Sequence, residues 1–213
     1  TEGYELEVLK GAKNILFKTK YILFEHHYDD MIVKNYFDME IIGTTIDDAI
    51  GEAFDKCGKK IGLSYPSGPL IDKLSKKGKP HKFFFPIPRV KGLNLSYSGC
   101  KTAFINFIET EKNKNFKFVD ENLNDLCSSI QFTLVKIITQ KIEMAVRNTG
   151  IKSVAIGGGV SANSELRSFL IEKENFQLLG IKFTNSIIFP DLNRSLPPGK
   201  IPQQFAFTKD SIL

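Results

Sequence analysis

The chain is predicted to be an α/β protein, and three observations predict it. Short apolar runs at Tyr21–Glu25, Leu93–Tyr97 and Ser153–Ile156 have the length of strands. Between them lie segments whose apolar residues recur at helical spacing, the longest over Asn122–Asn148. A glycine-rich loop, Gly157–Asn163, then joins the last of these strands to a helix start.

Taken in order, Glu5–Phe17 reads as a helix through Leu6, Leu9, Ala12, Ile15 and Leu16, and Tyr21–Glu25 as a strand. His26 and His27 follow; neighbours on a strand point to opposite faces, so they do not chelate one ion. Thr45 with Asp48 three residues on is a capping-box-like start to a helix. Its apolar face is Ile46, Ala49, Ile50, Ala53, Phe54, Cys57 and Ile61, and Gly62 ends it. Tyr65–Pro69 is a turn in which Gly68 is free to take a positive φ. Leu70–Lys77 is a short helix closed by Gly78, and Lys79–Lys91 a loop holding Pro80, Pro86 and Pro88. Lys101–Glu109 reads as a helix. Asp120 is the expected cap of the Asn122–Asn148 helix, and Gly150 its stop. Glu165–Glu172 is a helix entered through Ser161 or Asn163. After Phe176 the pattern decays under Pro190, Pro197, Pro198 and Pro202, with Ile181–Phe189 as a candidate strand.

Composition excludes several classes. With 213 residues, 42% hydrophobic and 25% charged, the chain buries a core without a metal or disulfide staple. It has no apolar run of membrane-spanning length and no visible signal peptide; it opens on Thr1 rather than methionine, which suggests residues upstream. Cys57, Cys100 and Cys127 are far apart, as expected of buried thiols in a reducing, cytoplasmic setting. The net charge of +5 is uneven: Lys56–Lys91 holds ten basic residues and one acid, Asp72, interleaved with Tyr65, Phe83, Phe84 and Phe85. That pattern suits a nucleic acid, through phosphate neutralisation and base stacking. A solvated lysine-rich surface over core phenylalanines is the alternative.

Two features carry chemistry. Asp48, Glu52 and Asp55 fall on one line of their helix, opposite its apolar face. Like charges so placed repel, and binding, for example of sugar hydroxyls, would give them a use. Strand, glycine-rich loop and helix N-terminus together suit a phosphate, because glycines let amides approach an anion. The loop matches neither standard nucleotide fingerprint, so a tight structural turn stays open.

Four ordered motifs then carry a resemblance: Thr45-Ile46-Asp47-Asp48-Ala49-Ile50-Gly51-Glu52-Ala53-Phe54-Asp55-Lys56; Leu63-Ser64-Tyr65-Pro66-Ser67-Gly68-Pro69; Leu95-Ser96-Tyr97-Ser98-Gly99-Cys100-Lys101-Thr102; and Gly158-Gly159-Val160-Ser161-Ala162-Asn163-Ser164-Glu165-Leu166-Arg167. Over residues 36–175 the chain resembles the tRNA adenosine threonylcarbamoyltransferase family, formerly the glycoprotease or O-sialoglycoprotein endopeptidase family. The resemblance implies a partial actin-like, sugar-kinase-like ATPase fold, incomplete at both ends. It implies transfer of threonylcarbamoyl from threonylcarbamoyl-adenylate to the adenosine beside the anticodon of tRNA. It assigns Asp55, Gly68 and Asn163 to the adenylate substrate, Gly158 and Gly159 to the loop near its phosphate, and Glu52 as a candidate ribose contact. It also implies as partners tRNA, a non-catalytic paralogue and a small ATPase, and as cofactor one iron or zinc ion.

The departures are specific. The family's His-x-x-x-His helix and Ser-Gly-Gly-His-Thr loop do not precede Thr45, and its late Cys-Thr-Asp-Asn motif is absent. The metal ligands are therefore expected to be missing and the transfer impaired, with no catalytic residue assigned. Thr1–Ala12 resembles the late part of FkbM-type methyltransferases, whose S-adenosylmethionine loop would lie upstream. The expected organisation is a methyltransferase-like tail over 1–35, a partial threonylcarbamoyltransferase-like domain over 36–175, and an unassigned proline-containing end over 176–213. A methyltransferase fragment and a non-catalytic nucleotide-binding remnant are the rival readings.

Overall fold

The computed structural model describes residues 21–24, 39–150, 154–156, 158–176 and 206–210. The expected helix Glu5–Phe17, the pair His26 and His27 and the candidate strand Ile181–Phe189 lie outside them. The elements are β1 (Tyr21–Phe24), β2 (Met39–Thr44), α1 (Ile50–Lys60), α2 (Gly68–Ser75), α3 (Ser98–Lys114), α4 (Phe118–Thr149), β3 (Ala155–Ile156), a 3-10 turn (Gly159–Ala162), α5 (Ser164–Phe176) and β4 (Ala206–Asp210). The described residues are thus mostly helical, with one four-stranded mixed sheet in the order β2-β4-β1-β3. β1 runs parallel to β3, with Ile22 opposite Ala155, and antiparallel to β4, with Ile22 opposite Thr208. β2 is antiparallel to β4, with an irregularity between Ile41 and Gly43. The sequence pattern had left β4 without an element, since its five residues, Ala206–Asp210, carry no long apolar alternation.

Helix α1 forms because Ile50, Ala53, Phe54 and Cys57 share one face and are all buried. Glu52 sits in its first turn and Lys59 and Lys60 in its last, which suits the helix dipole. The expected start at Thr45 is corrected. The Thr45 hydroxyl donates to the Asp48 carbonyl at 2.8 Å, closing a turn ahead of the helix, and Ala49 holds the cap position with extended backbone. The expected strand Leu93–Tyr97 is corrected as well. It makes a single parallel bridge, Leu95 with Thr45, in which the Leu95 N–H donates to Thr44 and the Ile46 N–H donates to Leu95.

Helix α4 is the centre of the packing. Leu126, Ile130, Leu134 and Ile138, four residues apart, are fully buried on one face. Burying each such side chain contributes about 2 kcal/mol. The helix starts earlier than expected, with Lys117 at the cap position, so Asp120 lies within the first turn, where its charge still favours the N-terminus. Gly150 closes it in the left-handed conformation, as expected. Helices α2, α3 and α5 pack on α4, and α1 packs on α2, α3 and α4. Phe83 and Phe85 pack by their rings against Phe104, Phe107 and Phe118 beside this core.

Candidate functional site

Asp55, at the middle of α1, reaches the start of α2. Its Oδ1 accepts the Ser67 N–H at 2.6 Å, and the Gly68 N–H also donates to the carboxylate. Ser67 is drawn into a compact turn, its hydroxyl donating to the Ser64 carbonyl at 3.0 Å, after a cis Tyr65–Pro66 bond. Burial pushes the Asp55 carboxyl above its usual range, and the two amide bonds only partly oppose it. The close approach depends on Gly58, where an added Cβ would overlap the Ser67 side chain. Gly68 opens α2 and is not among the positive-φ glycines, so the turn expected there is corrected to a helix start. Apart from its chain neighbours Ser67 and Pro69, a Cβ on Gly68 would meet nothing nearer than Phe54 Cβ at 3.9 Å.

The rest of the acidic stripe is held by lysines. Asp48 pairs with Lys101 and, at 3.0 Å, with Lys56; Glu52 pairs with Lys56 at 2.5 Å. Burial raises the Asp48 carboxyl, but its bonds to Lys101 and Lys56 outweigh burial and hold it below the usual range. The sequence reading of Thr45–Asp48 did not single out Asp47. Asp47 accepts the Tyr97 and Ser98 N–H groups at 2.8 and 3.2 Å and the Ser96 hydroxyl, and so caps α3 from a distant segment. Only the acidic doublet Asp47-Asp48 hinted at it.

At the glycine loop, Gly158 has φ 82°, a conformation that favours glycine, and leads into the 3-10 turn. Asn163, rather than Ser161, caps α5: its Oδ1 accepts the Glu165 and Leu166 N–H groups at 3.1 and 3.0 Å. Its Nδ2 donates to Gln131 Oε1 at 2.8 Å. The Ser164 N–H and hydroxyl both donate to Asp72, the hydroxyl at 2.7 Å. The first amides of α5 are therefore engaged by the protein's own side chains. An anion at this loop would be met by the amides of Gly158, Gly159 or Val160. The Ser161 hydroxyl is buried beneath the turn and has no partner among the described residues. Helix α1 packs against the 3-10 turn, so the element bearing Asp55 and the loop bearing Asn163 are neighbours.

The basic stretch is partly neutralised: Lys56 as above, Lys60 with Glu109, and Lys82 with Asp125 at 2.7 Å. Tyr65 and Phe84 are exposed, at 69% and 83%. Among the described residues no three His, Cys, Asp or Glu side chains group to hold a metal ion. His81 instead sets its ring edge-on to Phe132 at 4.4 Å. No described helix is long and apolar enough to cross a membrane.

Comparison with known proteins decides the family. The family model for tRNA N6-adenosine threonylcarbamoyltransferase matches residues 27–184. The chain belongs to that family. Proteins named tRNA N6-adenosine threonylcarbamoyltransferase from Christiangramia forsetii and Riemerella anatipestifer are each 53% identical to it, over 148 and 150 residues. One of the same name from Thermotoga neapolitana is 43% identical over 143 residues. These alignments cover 70%, 70% and 66% of this chain and 44%, 43% and 42% of the relatives. The chain thus spans less than half the length of the curated relatives it matches. All four motifs quoted above lie inside the family match. The methyltransferase-like tail is expected over residues 1–35; the family match begins at residue 27 and so takes in the last part of it, and within 1–35 only residues 21–24 are described.

Proposed function

We propose that this chain carries an adenylate-binding part of a tRNA threonylcarbamoyladenosine synthase. On this reading residues 36–175 form a partial actin-like α/β unit acting in the cytoplasm. Its ligand is threonylcarbamoyl-adenylate, and the acceptor is the adenosine beside the anticodon of tRNA. Asp55 and Gly68 meet the adenosine portion, with Glu52 nearby on the same helix as a ribose contact. Gly158 and Gly159 face the phosphate and Asn163 anchors their loop. The exposed part of the Lys56–Lys91 stretch offers charge to tRNA. A non-catalytic paralogue and a small ATPase are the partners the family resemblance suggests. The family's iron or zinc finds no converging ligand set among the described residues, so no step is derived through it.

The observation that carries this reading is Gly68. Its φ is not in the positive region, and apart from its chain neighbours the packing leaves room for a side chain. Yet its N–H is paired with the half-buried Asp55 in the first turn of α2. Pro69 itself favours glycine before it in helical backbone, and the same missing Cβ leaves the backbone open to close approach by a ligand. The carboxylate is held beside it as an acceptor for hydroxyls.

Gly68→Ala tests it. Alanine is the better helix former, but a Cβ just before Pro69 is disfavoured in helical backbone, so the two effects oppose and the melting temperature is expected to change little. Its affinity for AMP, measured by isothermal titration calorimetry, is expected to fall about tenfold. Unchanged AMP affinity in the folded variant would reject the assignment.

A further inference from the structure

We propose that Gln131 is the positioning residue of the site, setting the side-chain amide of Asn163 through a directed relay of hydrogen bonds that begins at Asp72. The inference rests on the adenylate reading and adds a residue to it. Gln131 lies in the middle of α4 and is 1% exposed, a poor place for an amide unless it is fully used. Its Nε2 donates to Ser75 Oγ at 2.8 Å and to Asp72 Oδ1 at 3.1 Å, both on α2. Its Oε1 accepts from Asn163 Nδ2 at 2.8 Å, and it also bonds the Glu165 side chain.

The direction of the relay is dictated at both ends. An ionised Asp72 only accepts, so the Gln131 side facing it must be the NH₂. The carbonyl of Gln131 therefore faces Asn163 and demands a donor there. Asn163 must turn its NH₂ toward Gln131 and its oxygen toward α5. The far end agrees, because the Glu165 and Leu166 N–H groups need an acceptor. Flipping Asn163 would set donor against donor at α5, and flipping Gln131 would set acceptor against acceptor at Asp72. An NH₂ carries two hydrogens, and the Gln131 bond uses one of them; the relay fixes the other as what the Asn163 side chain presents to a ligand. It also ties α2, opened by Gly68, to the loop of Gly158 and Gly159 through one buried side chain, so both halves of the site are placed by it.

The experiment is calorimetric titration of AMP into the full chain and its variants, reading Kd and stoichiometry separately. Misfolding lowers the stoichiometry, whereas misplacing the amide raises Kd in the molecules that remain folded. Gln131→Met keeps the length and removes both polar ends; Kd is expected to rise about tenfold with stoichiometry unchanged, the effect of one lost buried hydrogen bond. Asn163→Asp keeps the acceptor that caps α5 and removes the donor, with a similar expected rise. Combined, the two are expected to multiply to far less than their product, because they break the same relay. Full multiplication, or an unchanged Kd in folded Gln131→Met, would overturn the proposal. If Gln131→Met does not fold, Ser75→Ala loosens the Gln131 anchor more gently and is expected to raise Kd about threefold; an unchanged Kd there overturns the relay. Absence of AMP binding by the unaltered chain would instead remove the adenylate reading and this inference with it. That failure is visible before any substitution is made.

Discussion

Two clusters built on acidic residues, one on the pair Asp48 and Glu52 and the other on Asp72 alone, flank the candidate site, and their carboxylates are satisfied in opposite ways. Asp48 and Glu52 at the start of α1 are answered by the ammonium groups of Lys56 and Lys101. Asp72 on α2 is answered by neutral groups: the Gln131 amide and the N–H and hydroxyl of Ser164. The first cluster is open to water at its Lys56 end, where the side chain is 42% exposed and the charge is screened, whereas the Asp48 and Lys101 side chains are 13% and 16% exposed and screened much less. The second sits against Gln131 and Asn163, which are 1% and 8% exposed, and each of its partners has little alternative in solvent. Lysines hold the helix start, whereas directed hydrogen bonds hold the loop. Stability losses should therefore be larger on the Asp72 side, and less salt-dependent than those at the Lys56 end of the first cluster.

The largest effect is expected from Asp72→Ala. It removes the acceptor of the first amide of α5 and of the Ser164 hydroxyl, and one of the acceptors of the buried Gln131 amide, which keeps Ser75; an orphaned group costs about 1–3 kcal/mol. A loss of about 3 kcal/mol is expected in urea unfolding, nearly equal at low and moderate salt. A loss below about 1 kcal/mol would erase the contrast between the clusters.

Gly58→Ala comes next and sits between the two regions. Helix propensity alone would make alanine better by about 1 kcal/mol. The added Cβ would overlap Ser67, and overpacking of this kind costs about 1–3 kcal/mol, so net destabilisation is expected. The variant should also weaken AMP binding, because Ser67 must move away from Asp55. A raised melting temperature would show that the α2 start yields easily.

Asp48→Asn probes the lysine-held side. The Asp48 carboxyl lies below its ordinary value of 3.8 in the folded chain. Its stabilising contribution is thus present above about pH 4 and is lost as pH falls further, through the folded value. The variant is expected to lose about 1 kcal/mol at neutral pH, less in high salt, and to converge with the unaltered chain once the pH has fallen through the folded value. Measuring unfolding free energy against pH checks the sign.

How much of this was legible beforehand follows from range. The face of α1, the stripe of α4, the Gly150 stop and the Asn163 cap are local patterns, and periodicity or capping chemistry exposes them. The Asp48–Glu52–Asp55 line was also legible, but its partners were not: Lys101 lies 53 residues from Asp48, and only the tertiary fold brings them together. Gln131 was invisible for the same reason. A glutamine in a long helix looks like surface until its neighbours from α2 and α5 are known, 56 and 32 residues away. The strand expected at Leu93–Tyr97 was misread because burial there comes from packing, with one bridge in place of a ladder. Charge counting over Lys56–Lys91 overstated the positive face, since Lys60 and Lys82 reach acids on α3 and α4.

The smallest expected effect sharpens the comparison from the outside. Lys60 on α1 pairs with Glu109 on α3, and the Glu109 side chain is 58% exposed. The pair joins two helices already locked by Cys57, Cys100 and Phe104, all buried in the core. Holding two long side chains in one geometry costs rotamer entropy that an exposed pair barely recovers, leaving about 0–1 kcal/mol. Lys60→Met retains the aliphatic stem that packs along the helix and removes only the charge. Its unfolding free energy is expected to stay within about 0.5 kcal/mol of the unaltered chain, with that small difference vanishing in high salt. AMP affinity should not change, because neither residue touches Asp55, Gly68 or the Gly158 loop. If Lys60→Met were as costly as Asp72→Ala, exposure would not be what separates the two kinds of cluster, and the lysine-held side would have to be counted as part of the site's framework.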